Sequence, residues 1–206
     1  MADTVPDRTM DARYFDRMYA ANPDPWDFAG SEYENAKYAA TIEALDGRRF
    51  ARGLEIGCSV GVLTARLAQQ IDRLLAVDLS ERALEQARRR CASLPNVAFE
   101  RMAVPRRFPS GAFDFVLVSE VGYYWSRRDL ALAIERIAAA APGGTVELVH
   151  FLPKVRDYPR TGDEVHGAFL ADERFRWRKG TRDRRYRLDV FDVAASANGG
   201  RAAEAG

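Results

Sequence analysis

A glycine turn between two apolar runs, followed by an acid at a fixed distance, constrains this chain more than any other feature. Phe50 to Ile56 is apolar and carries Glu55 just before Gly57-Cys58-Ser59-Val60-Gly61. Leu74-Leu75-Ala76-Val77 is a second apolar run and ends in Asp78. Between them, Val62 to Ala68 has helical spacing. Strand, glycine turn, helix, strand and acid make one βαβ unit suited to a nucleoside. Glycine lets a ligand approach the backbone, and an acid at the second strand tip can accept from both ribose hydroxyls.

The turn also limits which nucleoside fits. A dinucleotide site favours G-x-G-x-x-G, with helix N–H groups aimed at a pyrophosphate. Here only Gly57 and Gly61 are present, and Glu55 would repel a pyrophosphate but suit a cationic cofactor. The E-x-G-x-x-x-G pattern with its spaced acid resembles motif I of class I S-adenosylmethionine (SAM) methyltransferases. The resemblance implies SAM as cofactor, S-adenosylhomocysteine (SAH) as product, and Glu55 near the methionine part. Cys58 and Gly61 complete the turn and border the cofactor, with Cys58 a small filler and not a nucleophile.

A length of 206 residues and 47% hydrophobic content suit one soluble globular unit. No apolar run reaches the length of about 20 residues that spans a membrane. The start, MADTVPDRTMDAR, lacks the basic and apolar regions of a signal peptide, so the cytoplasm is expected. Two cysteines make neither a disulfide framework nor a metal site. A net charge of +1 gives no bulk attraction to nucleic acid. In the arginine run Arg174 to Arg187, Arg174, Arg176 and Arg178 fall on one strand face and Phe175 and Trp177 on the other, which reads as a solvated hairpin. No partner macromolecule is expected beyond a monomer or weak dimer.

Along the chain, helices are expected over Asp11–Ala21, Tyr33–Leu45, Glu81–Ala92 (capped by Ser80), Arg128–Ala141 and Glu164–Leu170. Strands are expected over Val97–Arg101, Phe113–Val118, Thr145–Leu152, Phe175–Trp177 and Tyr186–Val190. The alternation predicts an open α/β, Rossmann-like sheet with helices on both faces. The resemblance implies the class I order 3-2-1-4-5-7-6, seven strands mostly parallel, with ligands at the carboxyl ends of strands 1, 2 and 4. Three regions are expected: an N-terminal helical lid or substrate region (1–45), a SAM-binding domain (46–193), and a disordered tail (194–206).

A closer resemblance rests on Asp24-Pro25-Trp26, Ser31-Glu32-Tyr33-Glu34, Lys37-Tyr38, Glu55 to Thr64, Asp72 to Asp78, Ser119 to Tyr124, Gly162 to His166 and Tyr186 to Val190. Together they resemble the nodulation protein S family of rhizobial methyltransferases, over nearly the whole chain. That family N-methylates the free amine of a deacetylated chitooligosaccharide, so the expected acceptor is a small-molecule or oligosaccharide amine.

On that layout Asp78 and Leu79 meet the ribose, Met102 and Ala103 the adenine, and Ser119 the methyl-transfer end. Lys37 pairs with the SAM carboxylate or stands on a solvated helix face. Glu120, one residue past strand 4, is the first candidate to bind or deprotonate the amine. His150 is the second, with a satisfied core histidine as its alternative. Trp26, Tyr33, Tyr123, Tyr124 and His166 are expected to contact the acceptor, the aromatics by stacking. A protein of this fold that binds SAM without turnover is the competing reading. An RNA or DNA methyltransferase is a weaker one, because Ser119-Glu120-Val121-Gly122 replaces the N/D-P-P-Y string that stacks a flipped base.

Overall fold

The computed structural model describes residues 7–195. Helices α1 (Ala12–Ala21) and α2 (Glu32–Glu43) come first. Then follow β1 (Gly53–Ile56), α3 (Val62–Leu67), β2 (Leu74–Asp78), α4 (Glu81–Arg90), β3 (Val97–Arg101) and β4 (Phe115–Ser119). A 3₁₀ turn (Gly122–Tyr124) leads to α5 (Arg127–Ala140), β5 (Thr145–Phe151), α6 (Gly162–Leu170), β6 (Phe175–Arg182) and β7 (Tyr186–Val193). The seven strands lie in the order β3-β2-β1-β4-β5-β7-β6. β7 runs antiparallel to β5 and β6, and the other pairs are parallel. This is the class I methyltransferase arrangement that the family resemblance implies.

Period-two alternation splits the core in two. Val116 and Val118 of β4 join Leu54, Ile56, Leu148 and Ile137 on one face. Phe115 and Leu117 join Leu67, Ile71, Val149 and Val190 on the other. Each fully buried side chain of this kind contributes about 1.5–3 kcal/mol. Serine and threonine start four of the six α-helices: the hydroxyls of Ser31, Ser80, Ser126 and Thr161 accept from the third backbone N–H onward, and Thr161 with Glu164 closes a capping box.

Three expectations change. β1 is shorter than the apolar run, because Phe50 only bridges to Ile71 before the chain bends. β6 extends to Arg182 through an irregularity at Trp177/Lys179. Trp177 is half-exposed there, with its indole N–H on Asp189, so the expected apolar face of that strand holds only Phe175. The tail expectation lies outside the described residues except for 194 and 195, where the Ala194 N–H donates to Arg174 O. No helix among the described residues is long and apolar enough to cross a membrane.

Candidate active site

β1 and β4 are neighbours whose onward connections leave in opposite directions, so a crevice opens at their carboxyl ends. The glycine turn enters it. Gly57 N and Cys58 N both donate to Val77 O, which ties the turn to the end of β2. Gly57 has φ +87, and a Cβ there would meet Ser119 O and Val121 Cβ at 3.0 Å. Gly61 has φ +80 and clears a different neighbour: its Cβ would meet Ala87 of α4 at 2.9 Å. Gly57 therefore borders the crevice, whereas Gly61 serves helix packing behind it.

Asp78 is fixed by the turn it was expected to serve. Its Oδ2 accepts from Ser59 N at 2.9 Å and its Oδ1 from Ser80 N at 2.8 Å. Burial raises its pKa against the pull of the Ser80, Ser59 and Leu79 N–H groups. Two of about four lone-pair sites are engaged, which leaves acceptors for a diol. A cavity of about 570 Å³ lies over these groups. Gly57, Asp78, Leu79, Met102, Ala103, Trp26, Tyr33, Lys37, Glu120, Tyr123 and Tyr124 all line it. Glu55, Cys58 and Ser119 instead line a smaller adjoining hollow that shares Gly57, Ser59 and Glu120 with the main cavity. Glu55 Oε2 is buried without a hydrogen-bond partner, and burial pushes its carboxyl up to about 7. An orphan acceptor of this kind calls for a donor such as an ammonium.

The same cavity holds an acidic centre of Glu34, Lys37 and Glu120. Lys37 Nζ donates to Glu120 Oε1 at 2.6 Å and to Glu34 Oε1 at 2.9 Å. Glu120 Oε2 accepts from the Tyr123 hydroxyl at 2.5 Å and from Phe151 N at 3.1 Å. Burial alone would lower the pKa of Lys37, but Glu120 and Glu34 outweigh it and hold the ammonium charged. Burial raises Glu34. Lys37 is thus buried between two carboxylates, neither on a solvated helix face nor available as a single free cation. Glu120 has φ +54, a left-handed conformation that is strained for a residue with a Cβ and that clusters at working sites.

His150 and His166 are not in the cavity. Both are fully buried and joined in a relay. The Gly122 N–H donates to His150 Nε2 at 3.0 Å, His150 Nδ1 lies 3.1 Å from His166 Nε2, and His166 Nδ1 lies 2.6 Å from Asp189 Oδ2. The backbone donor fixes both tautomers: each histidine accepts at Nε2 and donates from Nδ1. Burial pushes both imidazoles down, well down for His150. His150 is therefore the satisfied core histidine and not a base, and His166 does not reach an acceptor in the cavity. The two sat near the cleft in sequence, but β5 and α6 turn them inward under the 3₁₀ turn.

Several lining groups carried no assigned role in the sequence. Tyr19 hydrogen-bonds Ser59 Oγ at 2.6 Å. Residues 8–11 roof the cavity, held by Met10 N on Tyr124 O and Thr9 Oγ1 on Asp129. Glu34 falls three residues before Lys37, a spacing that puts both on one helix face and was a readable signal. Tyr158 had no signal beyond being aromatic, and Phe15 none beyond its place on the apolar face of the first helix.

The family model of nodulation protein S matches residues 11–145. Nodulation protein S of Rhizobium tropici is 29% identical over 60% of this chain and 53% of its own length. That of Bradyrhizobium diazoefficiens is 33% identical over 49% of each chain. The chain thus spans about half the length of the curated relatives it matches. The crystal structure of N-methyltransferase NodS from Bradyrhizobium japonicum WM9 with SAH superposes with a TM-score of 0.80. It is 20% identical and covers 89% of this chain and 99% of its own, a likeness of fold. With the glycine turn, Asp78 and the match across residues 11–145 agreeing, the chain belongs to the nodulation protein S family.

Proposed function

We propose that the chain is a SAM-dependent N-methyltransferase whose acceptor is the free amine of an amino sugar, a deacetylated chitooligosaccharide or a related small amine. The observation that carries this is the buried Glu34–Lys37–Glu120 cluster on a cavity shared with Asp78. Two carboxylates around one ammonium leave negative charge beside the place where a cationic cofactor and an amine would meet. The SAH-bound neighbour supports the cofactor assignment.

The residues fit the cofactor. Asp78 has unused acceptors for ribose hydroxyls, Met102 and Ala103 offer an apolar border for adenine, and Gly57 leaves backbone clearance. The orphaned Glu55 oxygen suits the amino group of the methionine part. Bound SAM supplies a methyl on a cationic sulfur; its transfer forms a nitrogen–carbon bond, leaves the electron pair on sulfur and frees one proton. What the chain adds is position. Glu120, held by Lys37, Tyr123 and the Phe151 N–H, would draw the amine in and orient its lone pair toward the transferred methyl. A sugar amine should titrate at about 7.7–8.0, like an α-amino group, so part of it is already deprotonated near neutrality. Of the N-terminal region, residues 7–45 serve as the lid and substrate region over a catalytic domain of 46–193.

A radiolabelled-SAM screen over chitosan oligomers, amino sugars, small amines and RNA tests this, with Glu120→Gln alongside. We expect label on an amine. Glu120→Gln keeps the shape and removes the charge, so kcat/KM for that amine should fall about 10²-fold while SAH affinity holds. Label on RNA, or on nothing, contradicts the proposal. Most arginines of the run that tempts a nucleic-acid reading are paired: Arg174 with Asp172, Arg176 with Asp192, Arg178 with Asp46, Arg182 with Asp163 and Arg187 with Asp189, and Lys179 also pairs with Asp46.

A further inference from the structure

We propose that Glu34 accepts the proton that the amine must lose before it is methylated, and that Lys37 carries the proton to it. This rests on the N-methyltransferase reading above and assigns a step within it.

The negative charge of the Glu34–Lys37–Glu120 cluster favours the acceptor as its ammonium, which has no lone pair to offer. One proton has to leave before the nitrogen can attack, and few groups on the cavity can take it. No histidine or cysteine lines it. Among its carboxylates, Asp78 accepts from the Ser59 and Ser80 N–H groups at the cofactor end. Asp129 accepts from Thr9 and faces Arg106, and Asp11 stands exposed beside Arg8. Burial holds the Tyr123 and Tyr124 phenols well above their ordinary value and pushes Tyr33 up to about 12, so these groups keep their protons. Glu34 and Glu120 remain.

The two carboxylates are held differently. Glu120 Oε1 faces the Lys37 ammonium at 2.6 Å, and Oε2 faces the Tyr123 hydroxyl and the Phe151 N–H. A proton on either oxygen would stand against a donor already in place. Glu34 has more room. Lys37 Nζ lies 2.9 Å from each of its oxygens but hydrogen-bonds only Oε1, and the buried Oε2 has no hydrogen-bond partner. A proton on Oε2 displaces no hydrogen bond, and burial favours the neutral acid. Burial raises the Glu34 pKa and Glu120 adds to it, against the pull of Lys37 and the Tyr38 hydroxyl. Those three, with the Tyr33 hydroxyl, are the charged and titratable groups that face Glu34.

Lys37 joins the two carboxylates and lines the cavity with them. As the acceptor ammonium settles against Glu120, Lys37 passes a proton to Glu34 and takes one from the acceptor. An N–H bond of the acceptor breaks and its electron pair stays on nitrogen. An O–H bond forms on Glu34, and Lys37 ends charged as it began. The acceptor goes from cation to neutral amine while the cluster goes from a net negative charge to none, so the summed charge in the cavity is unchanged. Glu120 stays a carboxylate throughout and keeps its hold on the nitrogen. Glu34 returns its proton to water once the product leaves. Glu34 is thus a positioning residue for the proton, acting through Lys37.

The test uses the full chain with SAM and two acceptors, glucosamine and the chitosan dimer, and reads kcat and KM from about pH 6 to about pH 9.5. We expect wild-type kcat to stay flat through the titration of the amine at about 7.7–8.0, because the proton is removed inside the complex. Glu34→Gln keeps the shape and removes the base. Its kcat should fall about 10²-fold near pH 6.5 and come within about threefold of wild type near pH 9.5, where the amine arrives neutral. SAH affinity should hold. A Glu34 that supplied charge alone would raise KM on removal and leave kcat in place. A rise in KM alone, or a loss of kcat equal at every pH, overturns the inference and leaves the N-methyltransferase reading standing. If Glu34→Gln does not fold, the wild type decides: a kcat that climbs about tenfold per pH unit below the titration of the amine overturns the inference. No transfer to either acceptor overturns it as well, and no label on any amine of the screen above overturns both readings.

Discussion

Glu147 stands on β5 between Leu117 and Val190, fully buried, and neither carboxylate oxygen has a hydrogen-bond partner. Burial pushes its pKa well above the usual carboxylate range, with only a partial opposing pull from Lys179. The sign follows. The folded-state pKa lies above the unfolded value of about 4.3. The folded chain therefore holds this proton more tightly, and stability falls as pH rises from about 4.3 toward the folded-state value. Glu147→Met should raise unfolding free energy at neutral pH by about 1–3 kcal/mol and flatten that fall. Urea melts at several pH values measure it, and a destabilised variant would mean that Glu147 has a partner. Residue by residue, legibility in the sequence was uneven. Asp78 and Glu120 stood out because each follows an apolar run that ends in a strand tip. Glu147 did not, since a single acid inside Thr145 to Phe151 reads the same whether it faces water or core.

The 3₁₀ turn after β4 is the element on which the acceptor side depends. Gly122 has no room for a Cβ, which would meet Val165 Cγ1 at 2.6 Å and His150 Nε2 at 2.8 Å. The turn is thereby docked on the relay from His150 through His166 to Asp189, and Tyr123 within it reaches Glu120. His150→Phe keeps a ring but leaves the Gly122 N–H and His166 Nε2 without partners, at a cost of about 1–3 kcal/mol. The Gly122 amide should then exchange with solvent faster, and KM for the acceptor should rise while SAH affinity holds. Hydrogen exchange at Gly122 is the check; unchanged protection would mean that the relay does not hold the turn. The relay was not readable from sequence, because β5, α6 and β7 are brought together only by the antiparallel return of β7. Elements with strong local signals were readable: the Ser80-capped α4 and the βαβ unit. The ends of β1 and β6 were not, since pairing partners decide where a strand stops.

At the scale of the whole molecule, the order β3-β2-β1-β4-β5-β7-β6 puts the glycine turn, Asp78 and the Glu120 turn on one edge of the sheet, beneath α1, α2 and the segment from Arg8 to Asp11. That order was expected from the alternation of elements together with the family resemblance, and periodicity alone would not have fixed the place of β6 and β7. The roof was less legible, because its contacts join residues more than a hundred positions apart, as in Thr9 with Asp129. The central claim is that this edge binds SAM through Asp78. Calorimetry of SAH against the wild type and Asp78→Asn tests it most directly. Asparagine keeps the shape and one acceptor but removes the charge from bonds worth about 1.5–3 kcal/mol each. The account predicts one site per chain in the wild type and affinity at least about tenfold weaker in Asp78→Asn, with SAH raising the wild-type melting temperature. No SAH binding by the wild type, or equal affinity in the variant, would contradict it.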